Sequence, residues 1–459
     1  MKKKVAAILT SSMLLGSVAY ADGPTVETVS ASLDSTWVMI AAFLVFFMHA
    51  GFAMVESGFT RSKNTLNILM KNILTVSIAS VLYFLIGYGL MFGSTGAGFI
   101  GVDSFALAGV DDIGFFVFQA VFAATCATII SGAVAERMKL GSYMILTVLM
   151  TGFIYPVVGH WVWQGDGWLT SLGFVDFAGS TVVHLTGAMG AIVTVKFLGA
   201  RIGKYSKGKV NVIPGSNIPL GALGVFILWF GWFGFNGGST LAADPELVPH
   251  VIATTLLSAS CGVLASAFYS LLKYKRIDAS LTLNGALAGL VGITAGTHAV
   301  SLVGAIVIGL IAGIILIEAV QFLDRGLKLD DPVGAIAVHG VCGIWGTVAV
   351  GLFATEGGLF YGGGANLLGV QALGVVAVIA WTVAAVSLSL YIMTRFSSIR
   401  VTREEEIAGL DFAEHGSSAY EFRDSILTNN SPSPSTNEFG SGLVQRLDSL
   451  GTSSKAKNA

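Results

Sequence analysis

Asp176-Phe-Ala-Gly179-Ser-Thr-Val-Val183-His184 and Asp331-Pro-Val-Gly334-Ala-Ile-Ala-Val338-His339 are the two stretches on which the reading of this chain turns. Each sets an aspartate eight positions ahead of a histidine in otherwise apolar sequence, with glycine at +3 and valine at +7. Each reads as a helix start followed by a buried imidazole. A helix rises about 1.5 Å per residue, so eight residues carry the chain about 12 Å. An aspartate near a membrane surface therefore puts its histidine close to the middle of a hydrocarbon layer about 30 Å thick. Ionisable groups at that depth are costly and mark functional positions. If the two copies enter from opposite faces, His184 and His339 meet at the midplane.

The composition requires a membrane. Hydrophobic residues make up 54% of the 459 residues, charged residues only 11%, and the mean hydropathy is +0.77, outside the balance of a soluble domain. The net charge of -2 carries no sign of a nucleic-acid partner. The first 21 residues read as a signal peptide: Lys2, Lys3 and Lys4, an apolar run from Val5 to Val18, then Ala19-Tyr20-Ala21 as a small-x-small cleavage site. The mature chain then starts at Asp22, with 22–35 as an N-terminal segment outside the membrane. Cys126, Cys261 and Cys342 all lie in apolar runs, which implies packing and no disulfide framework.

Apolar runs of about twenty residues predict spans near 36–59, 72–94, 113–135, 140–163, 178–199, 218–238, 248–272, 279–297, 300–322, 333–354 and 366–395. The expected fold is an all-α integral membrane protein of about eleven transmembrane helices, in a domain covering 36–396. Lys and Arg cluster after every odd-numbered span, from Arg61, Lys63 and Lys71 through to Arg395, Arg400 and Arg403. The other loops carry Asp103, Asp111, Asp112, Asp166, Asp244 and Glu246 instead. The positive-inside rule then sets the mature N-terminus outside and the C-terminus in the cytoplasm.

Five spans separate the two Asp-His segments, and five is odd. The second copy is therefore inverted: Asp176 opens the fifth span at the outer face and Asp331 the tenth at the cytoplasmic face. This predicts two inverted five-helix repeats plus a final helix, an architecture common among transporters, with polar sites at the midplane. The 58 glycines include pairs at small-xxx-small spacing, Gly285/Gly289 and Gly309/Gly313, which let helices approach closely.

A set of motifs in fixed order resembles the ammonium transporter (Amt/MEP/Rh) family, over roughly 36–421. They are Ala50-Gly51-Phe52-Ala53-Met54-Val55-Glu56 with Arg61-Ser62-Lys63-Asn64, Phe118-Gln119-Ala120-Val121-Phe122, Gly132-Ala133-Val134-Ala135-Glu136-Arg137, Gly231-Trp232-Phe233-Gly234-Phe235-Asn236, Asn284-Gly285-Ala286-Leu287, and the two Asp-His segments. The bacterial ammonium channels are the nearest in kind. The resemblance implies a transporter rather than an enzyme, without cofactor or metal, embedded in lipid of the cell's inner (plasma) membrane as a homotrimer with one hydrophobic pore per subunit.

It also assigns roles. Phe122, Trp163 and Ser239 match an outer recruitment site, where aromatic faces attract a cation and a hydroxyl accepts an N–H bond. Trp161 and Trp168 are neighbouring alternatives to Trp163. Phe122 and Phe235 match stacked gating rings, Trp232 and Thr294 pore-lining positions, and His184 and His339 a twin-histidine relay. Asp176 and Asp331 are expected to brace the vestibule and cap their helices, Pro332 fitting a first helical position. Residues 397–422 resemble a cytoplasmic regulatory segment that can contact a PII-family regulator, while 423–459, with Asn429-Asn430-Ser431-Pro432-Ser433-Pro434, has a disordered composition. Two further functions fit the same residues: an ammonium sensor signalling through its tail, and an Rh-type neutral gas channel, which has less use for an aromatic cation site.

Overall fold

Helix is the form this composition dictates, because in lipid every backbone N–H and C=O must be satisfied within its own segment. The computed structural model describes residues 25–420; the expected signal peptide and the tail 423–459 lie outside the described residues. Eleven helices cross the bundle: α1 Val26–Phe59, α2 Ser62–Phe92, α3 Ile113–Ala133, α4 Leu140–Ser171, α5 Ser180–Leu198, α6 Ile218–Gly238, α7 Leu247–Tyr274, α8 Ala279–Thr294, α9 Leu302–Gly326, α10 Ile336–Phe353 and α11 Asn366–Phe396. Ten of these are long and apolar enough to span a membrane among the described residues, and α8, at 16 residues, is the shorter one. Two short helices follow, α12 Arg403–Ala408 and α13 Leu410–His415. Phe43, Phe226, Phe230, Phe268, Val376 and Leu388 point outward and stay exposed, as lipid-facing side chains do.

Two helix starts differ from the sequence reading by ten residues each. Helix α1 starts at Val26, ten residues before the expected span, because Thr25 caps it through Thr28 N–H and the polar stretch 26–35 holds no Gly or Pro to break it. Helix α2 starts at 62 rather than 72. Lys71, expected in the loop, is buried inside α2 with its Nζ donating to the Ser131 carbonyl at 2.9 Å.

The glycine pairs pack as expected. A side chain at Gly313 would meet the Gly262 carbonyl at 2.5 Å, and one at Gly285 the same carbonyl at 2.7 Å, so α8 and α9 both lie backbone to backbone against α7. The five helices α1–α5 and the five α6–α10 form the inverted repeats, and α11 completes the bundle.

The lysine- and arginine-rich loops come together at one end. Arg201 binds the Asp330 carboxylate through its backbone N–H and through Nε and Nη2, at 2.8, 2.9 and 2.8 Å. Burial works to raise the Asp330 carboxyl, but the hydrogen bonds and charge of Arg201, with Arg137, overcome it and hold the group down at about 2. Arg61 and Arg201 also flank Glu136, whose backbone sits at φ 73°. The C-terminal segment clamps onto this end. Arg400 donates to the Leu198 and Ala200 carbonyls and pairs with Glu406, which accepts from Ile202 N–H, while Asp411 accepts from Asn67 N–H. We refer to this as the basic end, and to the one bearing Asp103, Asp112, Asp166 and Asp244 as the acidic end.

Candidate functional site

Both Asp-His segments build the same local device. The Asp176 carboxylate accepts from Gly179, Thr181 and Val182 N–H at 3.0, 2.8 and 2.8 Å. That of Asp331 accepts from Val333, Gly334 and Ile336 N–H at 3.3, 3.0 and 2.7 Å. Each carboxylate thus satisfies donors that a helix start leaves without partners. The glycine at +3 sits in the left-handed region, φ 112° at Gly179 and 81° at Gly334, a conformation that strains any side chain. Burial pushes the Asp176 carboxyl up to about 6 against the pull of these N–H groups, and it raises Asp331 for the same reason.

From each cap the chain enters a widened π turn, Ser180–Leu185 and Ile336–Val341, and each turn carries its histidine. Such turns recur at functional positions because they redirect one side chain out of the helical register. His184 and His339 come from opposite ends of the bundle and meet inside it, Nδ1 to Nδ1 at 3.2 Å, with ring centroids 5.1 Å apart. One ring must donate to the other. His184 Nε2 is buried and has no hydrogen-bond partner. Trp232 stacks on His184 at 5.1 Å, and its Nε1 donates to Thr294 Oγ1 at 2.9 Å.

Toward the acidic end, Phe122 and Phe235 stack face to face, centroids 4.0 Å apart and planes 18° from parallel, with Phe235 resting on His184 at 5.4 Å. Beyond them opens a cavity of about 130 Å³ lined by Phe118, Gln119, Phe122, Trp163, Phe177 and Ser239. The Trp163 ring is fixed by its Nε1–H, which donates to the Asp176 carbonyl at 2.6 Å, and it meets Phe122 edge to face. Ser239 Oγ donates to the Phe235 carbonyl, so its lone pairs remain available to a donor. Trp161 and Trp168 pack on each other outside this cavity, Trp161 bonding the Phe99 carbonyl. The structure therefore brings Phe122, Trp163, Ser239, Phe235, His184, His339, Trp232 and Thr294 into one column, with Asp176 beside Trp163 and Asp331 at the start of the segment that carries His339.

The sequence reading gave no role to Gln119, a buried amide whose Oε1 is unpartnered beside the cavity. Its signal was available: it is the one polar side chain in the run Phe115 to Ala124 of α3. Phe118 and Phe177 were likewise unassigned, and a phenylalanine among 29 carries no such signal.

Fold and column together define a polytopic membrane protein with a line of aromatic and histidine side chains through its interior. The Ammonium Transporter Family profile matches residues 36–420. The chain belongs to this family, whose members are transporters and not enzymes. It is 42% identical to ammonium transporter Amt2 of Archaeoglobus fulgidus over 439 residues, covering 89% of this chain and 93% of that protein. Among solved structures it is similar to a sensor Amt protein, with a TM-score of 0.81 and 41% identity, covering 85% of this chain and 100% of the other. It is also similar to Mep2 of Candida albicans, at 0.78 and 32%, covering 87% and 93%.

Proposed function

We propose that the protein transports ammonium across the membrane by recruiting the cation at the aromatic vestibule and passing it through the apolar column with the paired histidines as relay. A cation is held over the faces of Phe122 and Trp163 while Ser239 accepts one of its N–H bonds. The stacked Phe122 and Phe235 rings admit a guest only by moving and strip it of water. The histidine pair then offers a donor and an acceptor at the point where hydration is gone. Burial of two imidazoles in an apolar passage favours their neutral forms, so the pair serves as a hydrogen-bond relay and takes up a charge only in transit.

The single observation that carries this reading is the pairing of His184 with His339 directly beneath the stacked rings of Phe122 and Phe235. We assign the basic end to the cytoplasm and the acidic end to the outside of the inner membrane, on the positive-inside rule. We further propose a homotrimer, its contacts drawn from the exposed apolar helix faces, with a PII-family protein as regulator at the basic end. The sensor reading is favoured by the likeness to a sensor Amt protein. Flux separates the two: proteoliposomes holding the native protein should show ammonium-evoked current, and replacing either His184 or His339 by Leu should abolish it or its discrimination against potassium. Unchanged current and discrimination in both variants would refute the relay.

A further inference from the structure

A second polar group lies on the same passage, on the basic side of the histidine pair, and the relay above makes no use of it. Glu56, on α1, is 2% exposed and lines a cavity shared with Phe52, Asn284, Val333, Val338 and His339. Phe52 and Glu56 are four residues apart on one helix face, and the Phe52 ring sits 6.1 Å from that of His339. The cavity therefore lies against both His339 and Glu56. Its volume is about 20 Å³. One water needs about 10–15 Å³ by the same measure, so the space admits one guest of that size, which is the size of an ammonium ion.

The bonding around Glu56 is uneven. Its Oε2 accepts from Ser131 Oγ at 2.7 Å, and Lys71, the lysine buried in α2, donates to the Ser131 carbonyl at 2.9 Å. Serine thus stands between the two charged groups, which are bridged rather than joined. Glu56 Oε1 is buried and has no hydrogen-bond partner. A charge pair kept only for packing gains from direct contact and from saturating every lone pair. This one leaves the two charges apart, with the Ser131 hydroxyl and the Asn72 side chain beside the carboxylate and a cavity of ammonium size against the Glu56 side chain. A glycine makes the room: a side chain at Gly132 would meet Glu56 Cγ at 3.4 Å and Val333 at 2.6 Å.

We propose that Glu56 is an ammonium-binding station between His339 and the basic end, its carboxylate accepting an N–H of the cation on that side of the relay, with Lys71 as the fixed counter-charge that keeps the carboxylate from trapping it. The inference rests on the conduction reading above.

The test uses full-length protein oriented in proteoliposomes, with half-saturating ammonium measured separately from each face. Glu56→Gln should raise the value at the basic face about tenfold or more and leave that at the acidic face within twofold. The double variant Glu56→Gln with Lys71→Gln removes both charges, so no buried ammonium group is left alone. It should keep the weakened basic-face value while eluting and melting like the native protein. If Glu56→Gln alone fails to fold, the double variant carries the test. Native half-saturation at the basic face in the double variant, or in a folded Glu56→Gln, overturns the station and reduces the pair to packing. Absence of flux in the native protein would instead sink the conduction reading itself.

Discussion

Replacing Asp176 tests how the histidine relay is positioned. Its carboxylate accepts three backbone N–H groups at the entrance to the π turn that carries His184. Asp176→Ala leaves all three donors unmade, at about 1–3 kcal/mol for each buried group. The ceiling is therefore about 9 kcal/mol, and water entering the vacated space brings the expected loss down to about 3 kcal/mol. Asp176→Asn behaves differently. An amide oxygen in place of Oδ2 still accepts from Thr181 and Val182, while the amide nitrogen faces the Gly179 N–H, so one bond is lost, at about 1–3 kcal/mol. Thermal unfolding in detergent should rank native, Asn, Ala in falling order, and ammonium flux should fall in the same order, with Asn retaining part of it. If Asn and Ala are equally inactive while the Asn variant melts like the native protein, the carboxylate acts on the substrate itself and the capping argument is wrong. A native melting point for Ala would refute the energetics outright.

Trp163→Leu removes one aromatic face from the vestibule and should weaken cation binding by about 0.5–2 kcal/mol, raising half-saturating ammonium several-fold with less effect on maximal flux. Trp161→Leu, outside the cavity, should leave half-saturation unchanged. The Asp330–Arg201 contact should make stability acid-sensitive. A carboxyl lowered from 3.8 to about 2 contributes stability that is fully present above pH 3.8 and is lost as the pH falls through about 2. That contribution is about 2 kcal/mol. The melting-point gap between native protein and Arg201→Gln should accordingly be wide at pH 6 and narrower at pH 2.5; a constant gap would count against the pairing. Deleting residues 423–459 should leave conduction nearly intact, whereas deleting from Arg400 removes its bonds to Leu198 and Ala200 and the anchors Glu406 and Asp411. Flux and pull-down with a PII-family protein compare the two truncations, and equal, complete loss of transport in both would show that the distal segment is structural.

Span positions and inversion were legible because they are one-dimensional quantities. Apolar length, spacing of Lys and Arg clusters and the odd number of spans between Asp176 and Asp331 are set along the chain, and lipid allows few ways to satisfy them. The Asp-to-Gly-to-His spacing also announced its local geometry, because glycine takes the left-handed φ of both caps without the strain a side chain would bring. What sequence could not decide was convergence. Trp161, Trp163 and Trp168 are equivalent in the string, and only the fold turns Trp163 into the cavity by tying its ring nitrogen to the Asp176 carbonyl. Lys71 read as a loop charge because a buried lysine is too costly without a partner, and its partner Ser131, which in turn binds Glu56 of α1, lies on α3. Chain order thus determined which segments cross and which way they run, and tertiary structure decided which polar groups face the passage, because burial and partnership are set by neighbours distant in sequence.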